Sequence, residues 1–401
     1  MRLHVRSASG KRFGMQWRFP EGLAFAGVLV ALLIAGLWSL QLIPVYEPLR
    51  GLDFQNTYAY QTCPEVRESG VYWVSGAVCG DVGGRSFAYP PAMFHSFFWV
   101  EWFGFEDALA IWTFAMVAAM FALGAVWLWL DGRLRSGWQT GVLVVVWLLL
   151  LVQFPFVFAV ERANNDIVPL LLWTGAAALF IRQRYTLSGA FSGLAIASKV
   201  YPVLAFAIVA LGAVRRRSRI GPRLVLGCLV GGLLASMLWW DETIRYFTEV
   251  LPAFAETPTG LAEYSHPLRS LSPPLAGYSL ALLLFASWGV AAWKRVERKP
   301  LLVYAGALAI STYFSATSYD YNHITTYPLL LLATARALDH RSSSAWKVAT
   351  LVSVFAVASG RGVLTPSVQL FVQVAALSLL GLLVAVTDED GTPLPQLPAI
   401  A

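Results

Sequence analysis

Charge is scarce in this sequence. Asp, Glu, Lys and Arg make up 13% of its 401 residues while 57% are hydrophobic, against a charged share of roughly a quarter in soluble globular domains. That balance excludes an ordinary soluble protein. With only three cysteines the chain is no disulfide scaffold. No Gly-rich phosphate loop of Walker type, no HExxH run and no Cys/His spacing suited to zinc occurs anywhere in it. Long polar stretches are missing too, so no room remains for the ATPase domain of a nucleotide-driven pump.

Apolar runs fill the space instead. They lie near 22–43, 107–130, 139–159, 167–181, 188–198, 202–214, 223–240, 274–293, 301–317, 322–336, 345–360 and 366–386, about twelve membrane segments, some of them short. The expected fold class is an all-α polytopic integral membrane protein with one transmembrane domain over 1–386 and a disordered cytoplasmic tail at 387–401. The basic N-terminus and the run 22–43 superficially resemble a signal peptide. The run is too long for one, and no small-residue cleavage site follows before Pro44, so an uncleaved first transmembrane helix is expected.

Orientation follows from the cations. With the N-terminus inside, the cytoplasmic segments are 1–20, 131–138, 182–187, 215–223, 294–299, 336–347 and the tail. Of the 29 lysines and arginines only Arg50, Arg67, Arg85, Arg162, Lys199, Arg245, Arg269 and Arg361 fall outside them. The net charge of +6 is thereby accounted for by the membrane, without nucleic acid. The same count divides 188–214 into two segments meeting at Lys199-Val200-Tyr201-Pro202, since a single span would put Arg215, Arg216, Arg217 and Arg219 outside. The 188–198 segment covers only about 16 Å, short of a hydrocarbon core about 30 Å thick, so this hairpin has to be shielded by other helices or line a wet cavity.

The polar residues left on the outer side are the candidate site. The first outer loop, 44–106, carries Asp53, Arg85, the Tyr89-Pro90-Pro91 turn, Cys63 and Cys79, and an aromatic stretch from Phe94 to Phe105 suited to the headgroup level. A Cys63–Cys79 disulfide is compatible with an extracytoplasmic loop, and Cys228, inside an apolar run, reads as packing. Asp53 is either a general base or a solvated loop acid. Glu161-Arg162-Ala163-Asn164-Asn165-Asp166 puts three charges and two amides into a short connection between spans. Its carboxylates and amides suit sugar hydroxyls and Arg162 suits a phosphate, while Asn165 and Asp166 equally suit capping of the helix that starts near Ile167. Lys199 needs an anionic partner, either Glu161 or Asp166 or the phosphate of a ligand, and Pro202, opening a helix, favours the phosphate. His266, Arg269, Asp320, His323 and Arg361 are further candidates for a substrate cavity, each also readable as an ordinary loop residue.

Leu52-Asp53-Phe54, Phe87-Ala88-Tyr89-Pro90-Pro91, ERANND at 161–166, and Gly193-Leu194-Ala195-Ile196-Ala197-Ser198-Lys199-Val200-Tyr201-Pro202 together resemble the polytopic GT-C glycosyltransferases. Within these the likeness is to glycosyltransferase family 87 and its bacterial relatives, many of which show ERGNND-like and LKxYP-like stretches. It covers roughly residues 20–215, and the second half only by topology. Ala163 departs from it by replacing the more frequent glycine.

The resemblance implies a GT-C-like fold in a bacterial inner (plasma) membrane, with a cavity open to the outer face. It implies inverting transfer from a polyprenyl-phosphate-sugar donor to a lipid or glycan acceptor. Asp53 would be the base and Lys199, Arg162 and Arg85 the holders of the donor phosphate, with Tyr89, Glu161, Asn164, Asn165, Asp166 and Tyr201 shaping the site. No cofactor is implied and no metal is required, although the outer acids have the chemistry to hold a divalent cation. Two other classes suit about twelve spans: a secondary transporter, whose ionisable residues would sit nearer the midplane, and an outer-leaflet polysaccharide polymerase or ligase.

Overall fold

The computed structural model describes residues 2–6, 12–16, 51–63, 89–132, 137–215, 219–252, 274–314, 320–338, 343–358 and 366–387. The expected first span, 22–43, and the tail beyond Thr387 lie outside them. The described elements form an all-helical bundle, preceded in the basic segment by an antiparallel ribbon of β1 (Arg2–Arg6) and β2 (Arg12–Gln16).

The helices are α1 (Leu52–Thr62), α2 (Pro91–His95), α3 (Phe105–Asp131), α4 (Gly137–Leu151), α5 (Phe154–Glu161), α6 (Ile167–Ile181), α7 (Tyr185–Ser198), α8 (Pro202–Val214), α9 (Ile220–Met237), α10 (Trp240–Arg245), α11 (Pro274–Arg295), α12 (Pro300–Ser311), α13 (Tyr327–Ala337), α14 (Ser344–Ala358) and α15 (Pro366–Val386). Proline opens many of them, at positions where the missing N–H has no intrahelical partner to lose.

Among the described residues four helices are long and apolar enough to cross a membrane, or five if a bent pair counts as one span. Several other expected segments are shorter apolar helices. The run 139–159 is not one straight span. It breaks into α4 and α5, bent by 52°, where Pro155 cannot donate to the preceding turn. Gln153 covers part of the break, its Nε2 donating to Leu149 O at 2.6 Å while its own carbonyl takes the N–H of Phe156 and Val157 at 3.2 and 3.1 Å. The run 322–336 likewise begins as a 3-10 turn (Asp320–Thr326) before α13.

The division of 188–214 holds. Gly189 and Gly193 of α7 lie against Leu224 and Cys228 of α9, and Gly227 and Gly231 of α9 lie against Thr186 and Ala190 of α7. Contacts that advance together along both chains make α7 and α9 parallel, so α8 must run back between their ends. These backbones touch. A Cβ on Gly227 would come 1.9 Å from Thr186 O and one on Gly193 2.2 Å from Cys228 O, the close approach that small residues allow between membrane helices.

At the centre, every residue of α12 is buried, with Trp173 Nε1 donating to its Tyr304 O at 2.9 Å and the Trp288 ring lying against its Gly306. A helix apolar on all sides belongs in the middle of a bundle. The outer faces are apolar as well: Phe114 on α3 is 76% exposed and Leu234 on α9 61%. Such continuous surface is a poor fit to water and a good one to lipid.

The two ends of the bundle differ chemically. At one end Arg336 pairs with Asp131, Arg295 Nε donates to Ala385 O, and Lys299 Nζ donates to Thr387 O, the last two covering the C-terminus of α15. The other end, where α5 hands over to α6 and α7 to α8, carries the ERANND motif and Lys199.

Candidate functional site

ERANND is first a device for stopping one helix and starting the next. The N–H of Ala163 reaches Val160 O at 3.0 Å and that of Asn164 reaches Ala159 O at 2.9 Å, the paired bonds of a Schellman cap on α5. The cap needs one left-handed residue, and Ala163 supplies it with φ 50°. Glycine fits that conformation without strain, which explains the glycine of the ERGNND-like pattern. Asn164 Oδ1 then accepts the Asp166 N–H at 2.7 Å and turns the chain into α6. The capping expected of Asn165 and Asp166 falls to Asn164: Asp166 stands at the N-cap without a side-chain cap bond, and Asn165 Nδ2 donates to Thr57 Oγ1 at 3.0 Å.

Asp53 belongs to a helix, not to the loop expected for it. It stands in the first turn of α1, laid across the ERANND turn by two main-chain bonds, Gly51 N–H to Glu161 O at 2.8 Å and Asp53 N–H to Arg162 O at 3.0 Å. Gly51 adopts φ 66°, and a Cβ there would press on Leu109 at 2.9 Å. The side chains then meet. Arg162 Nε lies 3.2 Å from both Asp53 carboxylate oxygens and Arg162 Nη2 also donates to Oδ1. Asn164 Nδ2 donates to Oδ2 at 2.6 Å. Both members of the ion pair are buried, where each charge depends on the other. Arg162 also lies over the Phe158 ring at 5.7 Å.

A second pair sits beside the first. Lys199 Nζ donates to Asp166 Oδ1, Tyr201 OH donates to the same oxygen at 3.2 Å, and Asn322 Nδ2 donates to Oδ2. The fold explains the meeting: α6 has 15 residues and α7 has 14, so an antiparallel hairpin of the two returns Lys199 to the level of Asp166. Lys199 also faces the Tyr89 ring at 5.1 Å and the Tyr201 ring at 5.9 Å. Burial, with the Asp166 carboxylate beside it, holds the Tyr201 hydroxyl well above its ordinary range, so it remains a donor.

Of the expected residues, Asp53, Arg162, Asn164 and Asn165 are thus gathered around α1, and Asp166, Lys199, Tyr201 and Tyr89 form the adjoining group. Glu161 joins through its carbonyl. His323 is buried one residue beyond Asn322, its ring tilted at 37° to that of Tyr313 with centroids 5.2 Å apart. Asp320 opens the same 3-10 turn. Arg85, His266, Arg269 and Arg361 lie outside the described residues. Asn322 and Thr57 belong to the site without having been singled out; a lone Asn or Thr gives no signal until a charged partner is seen beside it. Cys63 is disulfide-bonded and Cys228 is free; the expected partner of Cys63, Cys79, lies outside the described residues. Among the described residues no three His, Cys, Asp or Glu side chains group as metal ligands.

The arrangement offers a carboxylate held between a guanidinium and an amide, next to a lysine held by a second carboxylate, at one end of an apolar bundle. No curated protein and no solved structure is a significant match to the chain. The model of glycosyltransferase family 87 matches residues 87–316, taking in ERANND, Lys199 and Tyr201 and reaching well beyond the first half of the chain, with Asp53 and His323 on either side of the matched stretch. With more than half of its length covered, the chain belongs to glycosyltransferase family 87 and is a membrane-embedded glycosyltransferase.

Proposed function

We propose that this glycosyltransferase takes its sugar from a polyprenyl-phosphate-linked donor and transfers it to a lipid or glycan acceptor on the outer side of a bacterial inner membrane, inverting the anomeric carbon. In the full reading the chain has about twelve membrane segments in one GT-C-like domain, cytoplasmic termini, and its cavity at the outer face, without a metal. The observation that carries it is the union of Asp53 with ERANND: an acid, a guanidinium and an amide in one buried cluster, next to a lysine. The opposite, basic end of the bundle supports the orientation, since Arg336, Arg295 and Lys299 are where cytoplasmic cations belong.

In the proposed step the acceptor oxygen attacks the anomeric carbon, its proton passes to Asp53, and the carbon–oxygen bond to the phosphate breaks. The polyprenyl phosphate leaves with the bonding pair. Developing charge on that phosphate calls for cations, supplied by Arg162 and Lys199 and, from outside the described residues, Arg85, Arg269 and Arg361. Each described cation is paired with a carboxylate, so the donor phosphate has to compete for it. Where it draws Arg162 away, the Asp53 lone pairs are released to take the proton.

The test uses the full chain in membrane vesicles with labelled polyprenyl-phosphate-mannose and, in parallel, polyprenyl-phosphate-arabinofuranose. Asp53→Asn should lower turnover per mole of folded protein by about a hundredfold or more, as loss of a general base does. Unchanged turnover removes Asp53 as the base. No turnover with either donor, together with solute uptake, would restore the transporter reading.

A further inference from the structure

A second polar cluster lies on the same side of α1 as Asp53, and the proposed transfer does not use it. Asp53, Thr57 and Tyr60 stand at i, i+4 and i+7, one stripe of the helix, with Tyr60 roughly 10 Å along the axis from Asp53. The first two are tied to ERANND. The Tyr60 hydroxyl is tied elsewhere, 2.7 Å from His95 Nε2 at the end of α2 and 2.7 Å from Glu242 Oε2 in α10. His95 Nε2 and Glu242 Oε2 are themselves 3.2 Å apart. With its proton on Nε2, His95 donates to the carboxylate, Tyr60 does the same, and all three groups are satisfied.

Aromatic stacking fixes the cluster from both sides. The His95 ring lies on Trp239 at 4.1 Å and 7°, and the Tyr60 ring on Phe94 at 4.7 Å and 15°, while Gln61 Nε2 donates to Phe94 O at 2.6 Å. Tyr60 is buried, whereas the His95 and Glu242 side chains are 21% and 38% exposed. An eleven-residue helix has little stability of its own, so its position is set by ties such as these. A displacement of about 1 Å in a reacting group is enough to cost a large factor in rate.

We propose that Tyr60, His95 and Glu242 form a clamp that sets the position of α1 and, through it, of the Asp53 carboxylate. The three are positioning residues for the transfer, a role that rests on Asp53 being its base. The clamp also makes α10, far along the chain, part of the support of the catalytic helix.

The experiment compares Tyr60→Phe, Glu242→Gln, His95→Gln and His95→Leu with the wild type and with Asp53→Asn, all as full chains in nanodiscs. Hydrogen exchange of the α1 amides needs no substrate. At Asp53 to Thr57 it should quicken by about threefold or more in Tyr60→Phe and Glu242→Gln if the clamp holds the helix. With the two labelled donors, kcat should fall by about tenfold, KM staying within about twofold. His95→Gln, which keeps a donor near the Nε2 position, should retain more activity than His95→Leu. Unchanged exchange at Asp53 to Thr57 overturns the clamp. Faster exchange with unchanged kcat reduces it to a structural contact and overturns the positioning role, as does a rate loss that only follows the loss of folded protein. Full turnover in Asp53→Asn instead defeats the assignment of the base, while the exchange data still decide whether the clamp holds α1.

Discussion

Separating the two partners of the buried Asp53–Arg162 pair should cost more than removing both. The two side chains are 6% and 7% exposed, and taking away one member of such a pair leaves the other buried without compensation, at a cost of about 3–5 kcal/mol. Asp53→Asn keeps its shape and the contact with Asn164, so about 3 kcal/mol is expected. Arg162→Met strands the carboxylate and also removes the guanidinium from Phe158, which places it near 5 kcal/mol. In the double variant no charge is stranded, and its loss should fall below the roughly 3 kcal/mol of the milder single change, a coupling of about 5 kcal/mol or more. Unfolding free energies in mixed micelles measure all three. Losses that add to within about 0.5 kcal/mol would refute the argument. The double variant also separates stability from chemistry: if Asp53 is the base, it regains folded protein without regaining turnover.

The close packing of α7 on α9 predicts that Gly227→Ala, whose Cβ would lie 1.9 Å from Thr186 O, lowers the folded yield in size-exclusion profiles by several-fold, whereas Gly232→Ala, with 3.8 Å of space, leaves it unchanged. At the left-handed position Ala163→Gly should shift the melting temperature little, because relieved strain offsets lost backbone entropy and a lost methyl contact. Ala163→Val should destabilise by about 2 kcal/mol or more. Tyr201→Phe removes a donor to a buried carboxylate and should cost about 1.5–3 kcal/mol of unfolding free energy. For orientation, Ser343→Cys should react with a membrane-impermeant maleimide only in inverted vesicles and Glu101→Cys only in right-side-out ones; the reverse pattern would invert the topology.

Much of the helical frame was legible because proline and apolar runs mark it directly. The bounds of α6, α8 and α15 agree with 167–181, 202–214 and 366–386, and the charge count placed the turn at Lys199 that the parallel α7 and α9 require. The helix carrying Asp53 was not legible. Leu-Asp-Phe-Gln-Asn-Thr-Tyr-Ala-Tyr-Gln-Thr has no apolar stripe of helical period, and its geometry is imposed by bonds to a segment more than a hundred residues away. The break after α4 was hidden for the opposite reason, since the apolar composition runs straight through it and only Gln153 and Pro155 mark the bend.

The partners of the charges were the least legible feature, and they alter how the site has to work. In the sequence Arg162 and Lys199 read as cations for a phosphate, yet each is engaged with a carboxylate, and the two are not equally exchangeable. If Lys199 turns away, Asp166 keeps its bonds from Tyr201 and Asn322. If Arg162 turns away, the Asp53 side chain keeps only the bond from Asn164 among the contacts described above. Lys199 is also the more accessible cation, at 13% exposure against 6%. On the proposed donor, Lys199 is therefore the cation that reaches a phosphate at the smaller cost, and Arg162 the one whose movement turns Asp53 from a structural anion into a base. Lys199→Gln should then act mainly on KM for the polyprenyl-phosphate sugar and Arg162→Gln mainly on kcat, read from initial rates over a range of donor concentration. The opposite split would assign the phosphate to Arg162 and leave Lys199 a structural partner of Asp166.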